Sequence, residues 1–250
     1  MESTKNLKPV LELKNLHKSF GENHVLKDFS LKLFEGENLV VMGKSGSGKS
    51  VMIKCLVGLI QPDSGSITIK DQDITSLGHT ELDLLRTEIG FLFQGSALYD
   101  SMTVRENLEF PLRRQTHKIP GFESTEILVK EALENVGLAH TLDLMPAELS
   151  GGMQRRVALA RALILKPKII IYDEPTTGLD PITAKEIIEL MRNIQEKYHT
   201  SSIIITHDVD CARVISNRMI LLVDGTNYTE GTFEELSNSE DPKIQAFFKN

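Results

Sequence analysis

Residues 43–50 read Gly-Lys-Ser-Gly-Ser-Gly-Lys-Ser, the spacing G-x-x-x-x-G-K-S. These residue types at this spacing can wrap a chain of phosphates. Gly43, Gly46 and Gly48 let the backbone turn tightly, so the N–H groups of Lys44, Ser45, Ser47 and their neighbours point inward at an anion. Lys49 supplies a mobile point charge for the outer phosphates, and the Ser50 hydroxyl is a hard oxygen ligand suited to Mg²⁺. A second group stands at Asp173-Glu174, after the apolar run Ile169–Tyr172. One carboxylate near Mg²⁺ can hold the ion's water shell, which fits Asp173. The next can accept a proton from an attacking water, which fits Glu174. His207 follows Ser202–Thr206 and Gln94 follows the run 88–93; a γ-phosphate contact and a metal-reaching amide oxygen are their candidate roles. The chemistry is that of a nucleoside triphosphate. These residues do not say what its energy drives.

Those groups need strands and helices to hold them. Leu39–Met42, short and β-branched, predicts a buried strand before the phosphate loop, and Val51–Ile60 predicts a helix after it. A Gly/Ser-rich surface turn would lack both. Residues 10–16 and 25–33 alternate apolar and polar, as half-exposed strands do. Phe20 ends the first; it is a core aromatic or a flat face for a purine. Residues 66–70 predict a further strand. The stretch 104–166 predicts several short helices broken at Pro111, Pro120-Gly121 and Pro146. The apolar runs 168–172 and 201–206 predict strands of a parallel sheet covered on both faces. Pro181–Tyr198 predicts an amphipathic helix, Asp208–Ser216 a short helix, and Met219–Val223 a strand followed by a turn at Asp224-Gly225. The tail from Thr232 predicts helix interrupted at Asp241-Pro242.

The 250-residue chain is long enough for a sizeable core, and its 25% charged and 40% hydrophobic residues are those of a globular protein. A net charge of -7, with Arg113-Arg114 and Arg155-Arg156 as the local basic pairs, argues against nucleic acid as a partner. Cys55 and Cys211 both fall in predicted helices, which points to reduced thiols in the cytosol. Met1–Lys5 lead into no apolar signal region, and no run approaches the ~18–20 apolar residues of a membrane span. A protein like this reaches a membrane through an embedded partner.

A second glycine-bearing helix start lies at Leu149-Ser150-Gly151-Gly152-Met153. Ser150 is a candidate N-cap, and the glycines expose N–H groups to an anion. Taken in order, the phosphate loop, Gln94, this element, Ile169–Glu174, Gly178-Leu179-Asp180 and His207 resemble an ABC transporter ATPase subunit over nearly the whole chain. The resemblance implies an α/β fold: a P-loop NTPase with a mixed parallel core sheet, an antiparallel β subdomain (core and β parts about 1–94 and 167–250) and an inserted α-helical subdomain (about 95–166). It implies ATP and Mg²⁺ and a head-to-tail homodimer. In that pair Ser150, Gly151 and Gly152 of one copy close on the γ-phosphate held by the other's residues 43–50. Phe20 becomes the adenine platform, Lys49, Glu174 and His207 the catalytic set, Ser50, Gln94 and (through water) Asp173 the Mg²⁺ site, and Asp180 a cross-interface residue. Met153 stands where Gln is usual and Phe20 where Tyr is usual; neither change removes a catalytic group.

Residues 93–104, 144–153 and 180–183, with Asp241-Pro242 and Phe247-Phe248, resemble the ATPases of MCE-type (Mla) phospholipid transporters more narrowly. That implies an integral membrane permease, an MCE-domain protein, a small regulatory subunit, and a place on the cytoplasmic face of an inner membrane. An amino-acid-type importer ATPase, or a soluble ABC ATPase of iron–sulfur assembly without a permease, are the alternatives. Ala97, Leu98, Tyr99, Met102 and Val104 are expected to form an apolar surface for a permease helix. The absence of an Asn-Lys-x-Asp motif disfavours GTP.

Overall fold

In the computed structural model, residues 8–113 and 124–248 are described. The expected break at Pro120-Gly121 and the opening Met1–Lys5 lie outside them. The alternating N-terminal segments form a long hairpin, β1 (Pro9–Phe20) and β2 (Asn23–Phe34). Next come β3 (Asn38–Met42), α1 (Lys49–Leu56), β4 (Ser64–Ile69), β5 (Gln72–Asp73), α2 (His79–Arg86) and β6 (Ile89–Leu92). A helical stretch follows: α3 (Val104–Arg113), α4 (Thr125–Asn135) and α5 (Gly151–Leu163). Then β7 (Ile169–Asp173), α6 (Pro181–Tyr198), β8 (Ser201–Ile205), α7 (Val209–Ile215), β9 (Arg218–Val223), β10 (Thr226–Gly231), α8 (Phe233–Ser237) and α9 (Pro242–Phe248) complete the α/β fold.

The strands make two sheets. One has order β2-β1-β4-β5 and is antiparallel throughout. The other has order β10-β9-β3-β8-β7-β6; its neighbours are parallel except the β9–β10 hairpin, which turns at Asp224-Gly225 with both residues at positive φ. β3 and β8 are buried along their full length because both faces are covered. Val41, Ile203 and Ile205 face a core shared with α1 and the antiparallel sheet, including Leu11, Phe29 and Met52. Val40, Ile204 and Tyr172 face α5, α6 and α7 through Leu159, Ile187 and Cys211. Helices α3, α4 and α5 build a third core from Val104, Leu108, Leu133, Val157 and Ala160.

Two expectations need correction. Pro111 does not break its helix: it sits inside α3, which runs on to Arg113. Pro111 removes one N–H donor to the preceding turn, and the other residues of α3 hold the helix around it through the buried side chains of Val104, Leu108 and Leu112. The helix after the phosphate loop stops at Leu56 rather than Ile60. Gly58 takes φ 68, its N–H donates to the Cys55 carbonyl at 3.0 Å, and the Leu59 N–H donates to the Lys54 carbonyl at 2.8 Å. This paired arrangement ends helices at a glycine. Arg86 of α2 seals the same end, donating to the Val57 and Gly58 carbonyls at 3.1 Å each.

Candidate functional site

Parallel pairing brings four strand ends to one edge. Val41 and Asp173 both lie level with Ile205, and Leu92 lies level with Tyr172. Gly43, Asp173-Glu174, Thr206-His207 and Phe93-Gln94 therefore open onto the edge where ligands bind in open α/β sheets. The loop after β3 closes only around glycine. A Cβ at Gly43 would lie 2.4 Å from Ser47 Oγ and 2.8 Å from the Leu222 carbonyl. Gly46 and Gly48 take φ 79 and 110, in the left-handed region. Gly48 caps α1 without a side chain, so nothing local competes for the helix's first N–H groups. Ser47 Oγ is buried with no partner, an orphan that a phosphate oxygen would satisfy.

Charge around this loop is balanced at close range. Lys49 Nζ donates to the Gly43 and Lys44 carbonyls at 2.5 and 3.0 Å, folded along its own loop. Burial lowers its pKa, and the charges of Glu174 and Asp173 oppose that. Burial raises the pKa of Asp173, Glu174 raises it further, and Lys49 pulls it down. Asp173 and Ser50 line one cavity of about 310 Å³. A hydroxyl and a carboxylate are the hard donors Mg²⁺ takes while keeping waters and phosphate oxygens. Among the described residues no three His, Cys, Asp or Glu gather into a metal cage, so an ion here would draw most ligands from nucleotide and water. Gln94 is exposed just past β6.

Glu174 is 8% exposed and holds φ 51, a strained conformation for a non-glycine residue. Its N–H donates to the Ile205 carbonyl at 2.8 Å, which ties the turn to β8. Its Oε2 accepts from Thr177 Oγ1 at 3.1 Å and lies 2.8 Å from His207 Nδ1. Phe20 is 50% exposed at the hairpin tip, with Lys18 Nζ 5.5 Å from its ring centroid. Beside that tip, Asn23, His24, Val25 and Lys27 share with Lys44–Ser47 the lining of a cleft of about 680 Å³.

The second helix start is built differently and elsewhere. Ser150 caps α5, its Oγ accepting from the Met153 N–H at 3.2 Å. Ser150 and Gly151 are exposed, and none of Ser150, Gly151 and Gly152 lines the cleft at the phosphate loop. Asp180 is exposed and caps α6, accepting from the Ile182 and Thr183 N–H groups and from Thr183 Oγ1. These bonds, the Thr183 hydroxyl first, hold its pKa below the usual carboxylate value.

The expected apolar surface after Gln94 holds only in part. Val104 is fully buried in the helical core, and Leu98 and Met102 are half-buried. Ala97 and Tyr99 are exposed, and they line a groove of about 720 Å³ with Leu59, Phe93, Phe110 and Arg161. Leu59 and Phe93 belong to other elements, so no single stretch of sequence announces that groove. Sequence reading also missed Thr177, which touches the Glu174 carboxylate, and Arg155, which lies buried beside the site.

Comparison with known proteins accords with this geometry. The family model described as ABC transporter matches residues 26–177. The intermembrane phospholipid transport ATP-binding protein MlaF of Haemophilus influenzae is 38% identical over 240 residues, 96% of this chain and 90% of that protein. The probable ribonucleotide transport ATP-binding protein mkl of Mycobacterium leprae is 40% identical over 240 residues, 95% of this chain and 68% of that protein. The methionine import ATP-binding protein MetN of Brucella abortus is 38% identical over 244 residues, 96% of this chain and 65% of that protein. Among solved structures, a dimeric ATP-binding cassette in a post-hydrolysis state with ADP and Pi superposes with TM-score 0.79 at 36% identity, over 89% of this chain and 98% of that one. Phosphate loop, paired carboxylates and capped glycine helix thus coincide with a shared ancestry: the chain belongs to the ABC transporter ATP-binding family and is an ATP hydrolase.

Proposed function

We propose that this ATPase works as a homodimer that encloses two ATP and drives an integral membrane permease moving phospholipid. Each triphosphate lies along residues 43–50. Ser50, Gln94 and a water on Asp173 would hold Mg²⁺, whose charge would offset that of the phosphates. The contact among Glu174, Thr177 and His207 supports Glu174 as the base that takes the proton of the attacking water. With ATP in place, His207 would first exchange this carboxylate partner for the γ-phosphate, leaving Glu174 free to face the water. Phe20 offers its exposed ring to the adenine. The outward-facing Ser150–Gly152 start supports closure on the partner's γ-phosphate, with Asp180 near the two-fold. Residues 95–166 act as the helical unit that carries it, inserted between about 1–94 and 167–250.

The apolar groove at Leu59, Phe93 and Tyr99 is the observation that favours a permease over a free-standing assembly ATPase. The similarity to MlaF over most of both chains favours lipid as cargo, with an MCE-domain protein and a regulatory subunit in the complex. Among the described residues no helix is long and apolar enough to cross a membrane. As the partner of an embedded permease, the protein sits peripherally on the cytoplasmic face of the inner membrane. The similarity to MetN supports an amino-acid importer as a second reading. Affinity purification from detergent-solubilised membranes decides between them. Recovery of a permease with an MCE-domain protein is expected; recovery of a solute-binding protein instead would overturn the lipid reading.

A further inference from the structure

Arg155 lies in the second turn of α5, the helix that begins with the exposed glycines. It is 4% exposed. A guanidinium so deep is ordinarily met by a carboxylate. Among the described ion pairs Arg155 has none. Its Nη1 donates to the Phe93 carbonyl at 2.9 Å and its Nη2 to the Thr177 carbonyl at 3.2 Å. Its Nε is buried without a partner. Burial alone accounts for its lowered pKa. As packing, this is a poor use of the space, since a Met would fill it without a charge.

The two acceptors explain the choice. Phe93 precedes Gln94, and its carbonyl also accepts the Ser96 N–H at 3.1 Å. Thr177 gives its hydroxyl to Glu174 and opens the run to Asp180. The same helix grips the first loop again: Arg161 Nη2 donates to the Ser96 carbonyl at 3.1 Å, where Ser96 and Ala97 take φ 60 and 48. Gln94-Gly95 is therefore slung between two arginines of α5. Neutral acceptors can be released without stranding an anion, and the rigid fork fixes the spacing of two loops as a lysine cannot.

We propose that Arg155 is a positioning residue that ties the Ser150–Gly152 helix start to the Gln94 loop and the Thr177–Asp180 loop together, so that a shift of α5 moves both. This rests on the function proposed above. Arg155 is buried and lines neither the cleft at the phosphate loop nor the cavity at Ser50 and Asp173, so its loss acts on alignment. In the full-length protein, Arg155→Met should lower kcat about tenfold to a hundredfold. Affinity for ATP should stay within about twofold and Tm should not fall. Arg155→Lys, reaching one carbonyl, should recover part of kcat. Backbone hydrogen exchange at 95–97 and 178–180 should rise together in Arg155→Met, by about tenfold or more. Unchanged kcat and exchange overturns the proposal, as does a kcat loss that tracks a fall in Tm in both variants. Should Arg155→Met fail to fold, the same readings on Arg155→Lys decide. A wild-type protein that binds ATP without turnover would sink the parent reading, while the exchange measurement still judges the tether.

Discussion

The chain carries two helix starts built on glycine, and they are capped in opposite ways. At α1 the cap is Gly48 with no side chain, the preceding loop curls around an orphan hydroxyl, and Lys49, Asp173 and Glu174 crowd the same strand edge. At α5 the cap is Ser150, which satisfies a helix N–H itself, and Gly151 looks out with open space where a Cβ would be. The first start has the geometry of an anion site within one chain, and the second turns its donors outward. In the function proposed above, the first helix start holds the phosphates and the second closes on a neighbour's.

The sharpest break in that comparison comes from the holding side. Glu174→Gln keeps the hydrogen-bonding shape and removes the proton acceptor. Turnover should fall by ~10²–10⁴-fold with ATP affinity retained, measured as phosphate release beside equilibrium nucleotide binding. A variant hydrolysing at the wild-type rate would end the general-base assignment. On the closing side, Gly151→Asp separates fold from assembly. A carboxylate in the first turn of α5 suits the helix's positive end in the isolated subunit, so thermal stability should hold or rise by about 0.3–1 kcal/mol. Facing a partner's triphosphate, the same charge is repelled, and turnover should drop by about tenfold or more. Full activity would mean this face meets no phosphate.

Asp173 sharpens the electrostatic half. Its folded pKa is raised, so the folded state holds that proton more tightly than the unfolded chain does. Its contribution therefore falls as pH climbs from the usual carboxylate value through the raised one. Asp173→Asn should leave the nucleotide-free protein as stable or more stable at pH 7 while Mg²⁺-dependent turnover is lost. Thermal melts at pH 4 and 7 test this; an advantage that is larger at pH 4 would reverse the sign. The smallest effect concerns the thiols. Burial pushes Cys55 up to about 11 and Cys211 up to about 12, and both are free. Neither should alkylate in the native protein at pH 8, whereas both should after unfolding, as mass spectrometry will record.

Much of this was legible because the chemistry is local. The phosphate loop, the Asp173-Glu174 pair and the Ser150 cap are contiguous runs between recognisable elements, and Pro181–Tyr198 was bounded correctly by its own capping residues. Gly58 carries a stop signal for α1 that a reading bounded by Gln61-Pro62 passes over. What escaped depends on which face turns inward. Val104 reads as surface until α4 and α5 cover it, and Leu59 joins Phe93 and Tyr99 in a groove only after the sheet brings them together. Arg155 looked like half of a basic pair; its two carbonyl partners lie in loops far away in sequence. Burial of an arginine has no signature in a single chain.

In the proposed dimer each copy's closing helix start completes its neighbour's holding one. Sedimentation of the Glu174→Gln protein with saturating ATP and Mg²⁺, alone and with its permease, addresses it directly. A stable dimer that dissociates when Gly151→Asp is added is the expected result. A monomer in both settings would contradict it.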